Sequence, residues 1–140
     1  VFTQDDVDKF VEDNQIKPQQ AGFVYCITNT QNGKKYIGKK KFFKKITRPA
    51  LKGKKRKRIS YPQSDWQEYV GSNEETKQLL LENGMDIFER EILHLCKSPG
   101  ALSYLELKEQ VDREVLLSDE YYNGIIQARI NKSHLKELKK

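Results

Sequence analysis

Residues 33–39 read Gly-Lys-Lys-Tyr-Ile-Gly-Lys and fit the G-x-x-x-x-G-K pattern of a phosphate-cradling loop. Such a loop needs Ser or Thr next, to hold magnesium, and the next residue is Lys40. The residues between the glycines are strand formers, and no repeated strand–helix pattern follows to build a parallel sheet. Nucleoside triphosphate hydrolysis is excluded. Cys26 and Cys96 stand 70 residues apart, with no C-x-x-C and no His at ligand spacing. That pattern argues against a zinc centre or a disulfide scaffold and fits a reducing cytosol. His94 falls in an apolar run and reads as a packed strand histidine rather than a base.

The strongest chemical signal is charge. The 140 residues carry a net +6, and 14 of the 26 Lys and Arg fall between Lys34 and Arg58, where there is no acid. The rest of the chain holds 12 basic against 20 acidic side chains. A block of this kind repels itself unless it meets a polyanion. Nucleic acid is the expected partner, because neutralising its phosphates releases counterions. A membrane surface is disfavoured: the block has no amphipathic period, and no apolar run approaches the roughly 20 residues of a spanning helix. No secretory signal is expected at the start of the sequence. The length suits one domain with one modest core, and 6 Phe, 7 Tyr and 1 Trp argue for a folded chain.

Local signals outline the elements. Phe2–Val11 reads as an amphipathic helix capped by Thr3. Phe23–Thr28 is rich in strand formers, Asn32-Gly33 is a hairpin signal, and a second strand resumes at Lys34–Gly38, with Phe42-Phe43 as its furthest expected extent. Residues 44–62 have no apolar period and read as a basic loop. Ser64-Asp65-Trp66 opens a short helix through Tyr69. Ser72 with Glu75 forms a capping-box pattern for a helix ending at Gly84. Ile87–Cys96 reads as a third strand. Ser98-Pro99 starts a helix with a buried stripe of Ala101, Leu105, the Lys108 stem and Val115. Leu102, Glu106, Glu109 and Arg113 lie on its neighbouring face. Tyr121–Asn123 is a turn, and Ile125–Leu138 reads as a last helix with a basic end.

Phe23-Val24-Tyr25 and Tyr36-Ile37-Gly38, with eleven residues from Tyr25 to Tyr36, resemble the GIY-YIG nuclease signature. The second triplet is exact and the first keeps its tyrosine. Ser64-Asp65-Trp66-x-x-Tyr69-x-Gly71-Ser72, then Gly84-x-x-x-Phe88-x-x-x-Ile92-Leu93, then a glutamate-bearing helix and Tyr121-Tyr122-Asn123 follow in the family's order over residues 22–123. The chain looks most like the Seg-type homing endonucleases of T-even-like bacteriophages.

The resemblance implies an α+β fold, with a central three-stranded antiparallel sheet flanked by helices. It implies hydrolysis of phosphodiesters in double-stranded DNA, in the cytoplasm of an infected bacterial cell. The expected units are an N-terminal helix and linker at 1–21, the nuclease domain at 22–125 with its basic loop at 44–62, and a basic helix or tail at 126–140. By the same resemblance Glu106 holds one Mg2+ or Mn2+, with Glu109, one helical turn on, as the rival. Tyr25 and Tyr36 deprotonate or position the attacking water. Lys39 contacts the scissile phosphate. Gly38 allows a close approach of the DNA, and Lys40, Lys41, Lys44, Lys45 and Arg56 contact its backbone. The family usually has an arginine about ten residues after the second tyrosine, and here position 46 is Ile46. Arg58 is the chosen replacement, ahead of Arg48 and Arg56, and Lys40 or Lys41 is the lysine alternative. The rival reading is a non-catalytic nucleic-acid-binding module that keeps the fold. A structural phage protein is a more distant third.

Overall fold

Phe23, Val24, Tyr25, Cys26 and Ile27 succeed one another without a polar break, the pattern of a strand buried on both faces. They form the centre of β1 (Gly22–Asn29). β2 (Lys35–Lys41) and β5 (Phe88–Cys96) pair with it antiparallel, in the order β2-β1-β5. The computed structural model describes residues 2–138, so Val1 of the expected 1–21 unit and Lys139 and Lys140 of the expected tail lie outside the described residues. The expected α+β architecture holds.

The pleat of β1 divides the core in two. Phe23, Tyr25 and Ile27 face a cluster with Phe42, Trp66, Val70 and Phe88, covered by Val7 of α1 (Gln4–Asp13). Val24, Cys26 and Ile37 face Ala101 and Leu102 of α3 (Pro99–Asp112) and Val115 beyond it. The aromatic half is tightly packed: Phe23 stacks on Phe42 with centroids 4.8 Å apart, and Trp66 meets both edge-on. Removing one such ring costs about 3–5 kcal/mol. The Arg90 guanidinium lies over Phe23 and Trp66 and donates to the Trp66 carbonyl, so this half of the core carries one satisfied charge.

Thr3 caps α1 in a reciprocal box with Asp6. Ser98 caps α3 by accepting from the Ala101 amide, with Pro99 in the first turn, as the sequence indicates. Four expectations change. The cap of α2 (Glu74–Asn83) is Asn73, whose Oδ1 accepts from the Glu75 and Thr76 amides; Ser72 is drawn away to a tyrosine. The fully buried residues of α3 are Ala101, Leu102 and Gln110, with Leu105 half-buried against the same cluster as expected. Leu102 fits over Gly22, where a Cβ would approach its Cδ2 to 2.7 Å, while Lys108 turns outward to Asp112 at 2.6 Å. Glu114 is left-handed (φ 52°), so Val115 reaches the core from a separate turn.

Segment 44–62 is more than a loop. Ile46–Arg48 (β3) and Arg58–Ser60 (β4) pair antiparallel as a separate two-stranded ribbon. Its apolar period is missing because it packs on no core. The expected last helix is absent: residues 124–131 have no regular structure, and a 3-10 segment covers Lys132–Leu138. Its apolar residues touch the core only at Ile126 and Leu138, too few for an amphipathic face. Among the described residues no helix is long and apolar enough to cross a membrane.

Candidate active site

β2 is an edge strand, and the chain closes part of that edge with a late segment. The Lys35 amide donates to the Glu120 carbonyl at 2.9 Å, and the Tyr122 amide donates to the Lys35 carbonyl at 2.7 Å. Asn123 then takes over with its side chain. Its Oδ1 accepts from the Ile37 amide at 3.0 Å and its Nδ2 donates to the Ile37 carbonyl at 2.8 Å. The amide imitates a strand residue and closes the ladder immediately before Gly38.

Tyr25 on β1 pairs with Gly38 on β2. Residues opposite one another share a face, and so do Tyr36 and Gly38, two apart on one strand. A Cβ at Gly38 would lie 2.5 Å from the Tyr25 hydroxyl and 2.8 Å from the Tyr36 ring. The missing side chain is therefore what lets the two phenols converge, with ring centroids 6.4 Å apart. Tyr36 is seated against Gly71, whose φ of +101° and 2.5 Å clearance to the ring both require glycine. The Tyr36 hydroxyl meets Ser72 Oγ at 3.3 Å.

From the opposite layer, α3 contributes Glu106. Tyr25, Tyr36, Lys39, Tyr69, Ser72, Glu106 and Gln110 line one open depression of about 280 Å³, bounded by Ile125 and Gln127 of the C-terminal segment. Burial pushes the Glu106 carboxyl above its ordinary value, with Lys39 opposing the shift. Burial also pushes Tyr25 well above the phenol range, helped by Tyr36, Tyr69 and Glu106 around it. Tyr25 is thus a neutral phenol at physiological pH. The Lys39 ammonium is held by Ser103 Oγ at 2.7 Å.

Glu109 points elsewhere. It accepts from Arg113 Nε at 3.0 Å and bonds His94 Nε2 at 2.9 Å. Burial works against its charge, but the hydrogen bonds from His94 and Arg113 prevail and lower its pKa. Lys40, two residues on from Gly38 and on the same face of β2, bonds Asp65 at 2.8 Å and lies 4.0 Å over the Tyr69 ring. Lys39, Lys40, Lys41, Lys44 and Lys45 line a groove of about 340 Å³ floored by Phe43, Pro99 and Leu102. Lys39 lines both this groove and the Glu106 depression. Arg58 is not brought to the depression: it sits on β4 and donates from Nε to the Pro49 carbonyl at 3.2 Å. Arg56 lies near the ribbon tip, exposed. A cavity of about 500 Å³ lies between the start of α3 and residues 129–137. Its carboxylate, Glu137, is taken up by the Lys97 amide and the Ser98 hydroxyl.

Tyr69, Ser72, Ser103 and Gln110 join the site without having been singled out as site residues. Gln110 lies one turn after Glu106, so helical spacing could have found it. Ser72 was masked by its resemblance to a helix cap. The donor set of the depression is all oxygen: one carboxylate, three phenols, a serine and two side-chain amides. No group of three or more His, Cys, Asp or Glu able to hold a metal exists among the described residues. One carboxylate in an open, wet hollow suits a hard ion of the magnesium class, which retains most of its waters and completes its shell with substrate phosphate.

Residues 6–126 match a family model described as "Putative endonuclease segE, GIY-YIG domain". Comparison with curated proteins and with solved structures returns no match. The match runs from α1 through the Asn123 closure and takes in both tyrosine strands, the ribbon and α3. The chain belongs to the GIY-YIG endonuclease domain family, in its SegE branch.

Proposed function

We propose that the protein is a metal-dependent endonuclease of double-stranded DNA, of the homing type carried by bacteriophages, acting in the cytoplasm of the infected cell. The observation that carries the reading is the convergence of Tyr25, Tyr36, Lys39 and Glu106 in one depression. These side chains come from β1, β2 and α3, and the depression adjoins a lysine-lined groove.

Glu106 would hold the ion, Mg2+ or Mn2+, which when bound supplies Lewis-acid polarisation of the phosphate and the leaving oxygen. The protein's own residues do the rest. Tyr25, neutral and buried, orients the attacking water through its hydroxyl. Tyr36 takes up the water's proton as it gives its own to Ser72, which in turn releases one to solvent, to which it is exposed. Lys39, fixed by Ser103, sets a positive charge beside the phosphate as negative charge builds on it. Lys40, Lys41, Lys44 and Lys45 hold the flanking backbone and position the scissile bond without reading sequence. Gly38 yields its side-chain space to the Tyr25 hydroxyl and the Tyr36 ring, so the phosphate meets the two phenols rather than a side chain at this position.

The test is cleavage of supercoiled plasmid with magnesium, with manganese, with EDTA, and by Glu106→Ala. Cutting that requires the ion and disappears in the variant is the expected result. Tight binding with no cutting under any ion would instead establish a non-catalytic binding module.

A further inference from the structure

Among the described residues, the ribbon formed by β3 and β4 contributes no side chain to either core cluster. Its register is Ile46↔Ser60, Thr47↔Ile59 and Arg48↔Arg58, and every residue from Leu51 to Ser60 is exposed. A two-stranded ribbon on no core is marginal by itself. Here it also sets Arg48 directly opposite Arg58, and like charges in that position repel. Nine Lys and Arg lie between Lys44 and Arg58 with no acid. Yet the ribbon is firmly rooted. The Ser64 amide donates to the Phe42 carbonyl at 2.8 Å, the Lys44 amide donates to the Pro62 carbonyl at 2.9 Å, and Phe42 is wholly buried. At the tip, the Lys54 amide closes a turn on the Leu51 carbonyl at 2.8 Å, with Gly53 at φ +82°.

A rooted, twisted, uncovered ribbon with dense positive charge has the width and chemistry of an element that enters the DNA major groove. Its composition adds to the case. Three of the chain's six arginines, Arg48, Arg56 and Arg58, are on it, and arginine is the side chain that grips guanine through two hydrogen bonds. Ile59 and Leu51 are 51% and 54% exposed, apolar groups suited to a thymine methyl. The lysine groove runs from the ribbon's root to Lys39 at the edge of the Glu106 depression. From Phe43 to Pro49 the ribbon reaches about 20 Å at the usual strand rise, roughly six base pairs along a duplex.

We propose that the β3–β4 ribbon is the target-reading arm of this nuclease, inserted in the major groove about six base pairs to one side of the scissile phosphate. The inference rests on the proposed function and extends it from cutting to choosing where to cut.

The experiment uses the full chain in EDTA, so that binding is read without cleavage. Duplexes are selected from a random library, and guanine N7 accessibility is mapped by dimethyl sulfate. The wild type should select a motif and protect guanine N7 on one side of the cut site. The triple variant R48K/R56K/R58K keeps every charge and removes the bidentate forks. It should lose the motif and the N7 protection while its affinity for unrelated duplex changes less than about threefold and its salt dependence is retained. An unchanged thermal midpoint shows that the fold is intact. A second variant, with residues 49–57 replaced by a two-residue Asn-Gly turn, should bind without preference. The same motif selected by either variant overturns the inference, as does a wild type that cuts but selects none. A chain that neither binds nor cuts duplex DNA overturns the proposed function with it.

Discussion

The hydroxyl of Tyr25 occupies the space that a side chain at position 38 would need, since a Cβ on Gly38 would sit 2.5 Å from it. The glycine of the second signature triplet thus serves the tyrosine of the first. Their cross-strand pairing makes the two halves of the signature one structural unit.

Gly38→Ala is the direct consequence. The new methyl must displace Tyr25, Tyr36 or both, and overpacking of this kind costs about 1–3 kcal/mol. Misplacing a reacting group by about 1 Å lowers the rate about 100-fold. Cleavage should fall at least that much while the protein stays folded, as read by plasmid nicking beside circular dichroism. Full activity in this variant would show that the phenols need no fixed position.

Glu106 and Glu109 separate cleanly. Glu109→Ala breaks the bonds to His94 and Arg113, so it should lower stability by about 1–3 kcal/mol and leave most of the cleavage. Glu106→Ala should do the reverse, abolishing cleavage without loss of stability. Denaturant titration and plasmid assays on both variants decide the matter. A dead, well-folded Glu109→Ala would move the metal ligand one turn along α3.

Acidity should expose the same carboxylate. Burial raises the Glu106 pKa above its ordinary 4.5 in the metal-free protein, so in EDTA the carboxyl should take up its proton above that value, and protons should compete with the metal for it. The unfolded chain ionises first as pH rises, which weakens the wild-type fold across that window. Glu106→Gln should therefore match the wild type in thermal midpoint below pH 4.5 and exceed it at neutral pH. Equal midpoints at both pH values would contradict a buried, strained carboxylate.

Asn123 supplies the Ile37 amide with its strand-edge partner, whereas the Ile37 carbonyl also accepts from Gln110 at 3.2 Å. Asn123→Ala leaves that amide unmet and should cost about 1–3 kcal/mol. Faster hydrogen exchange at Ile37 is the specific readout, because a general loss of stability would speed exchange across all three strands alike.

What was legible in the sequence was local. The β1–β2 hairpin follows from an apolar run, an Asn-Gly turn and a resumed strand, all set by neighbours within a few residues. The caps at Thr3 and Ser98 are equally local, and the spacing of Tyr25 and Tyr36 delivers their meeting once the hairpin register is in place. The tertiary structure decided the rest. Glu106 and Glu109 stand three residues apart on one helix, and only the rotation of α3 against the sheet sends one to the tyrosines and the other to His94. Ser72 loses its capping role to Asn73 because Tyr36, distant in sequence, claims its hydroxyl. Arg58 could not be placed from an unpatterned basic run, and the ribbon that carries it leaves no apolar period because, among the described residues, it joins neither core cluster. Periodicity reports a side chain's burial against its own core. It carries no information about which partner a polar side chain finds across the fold, and that choice is what builds the site.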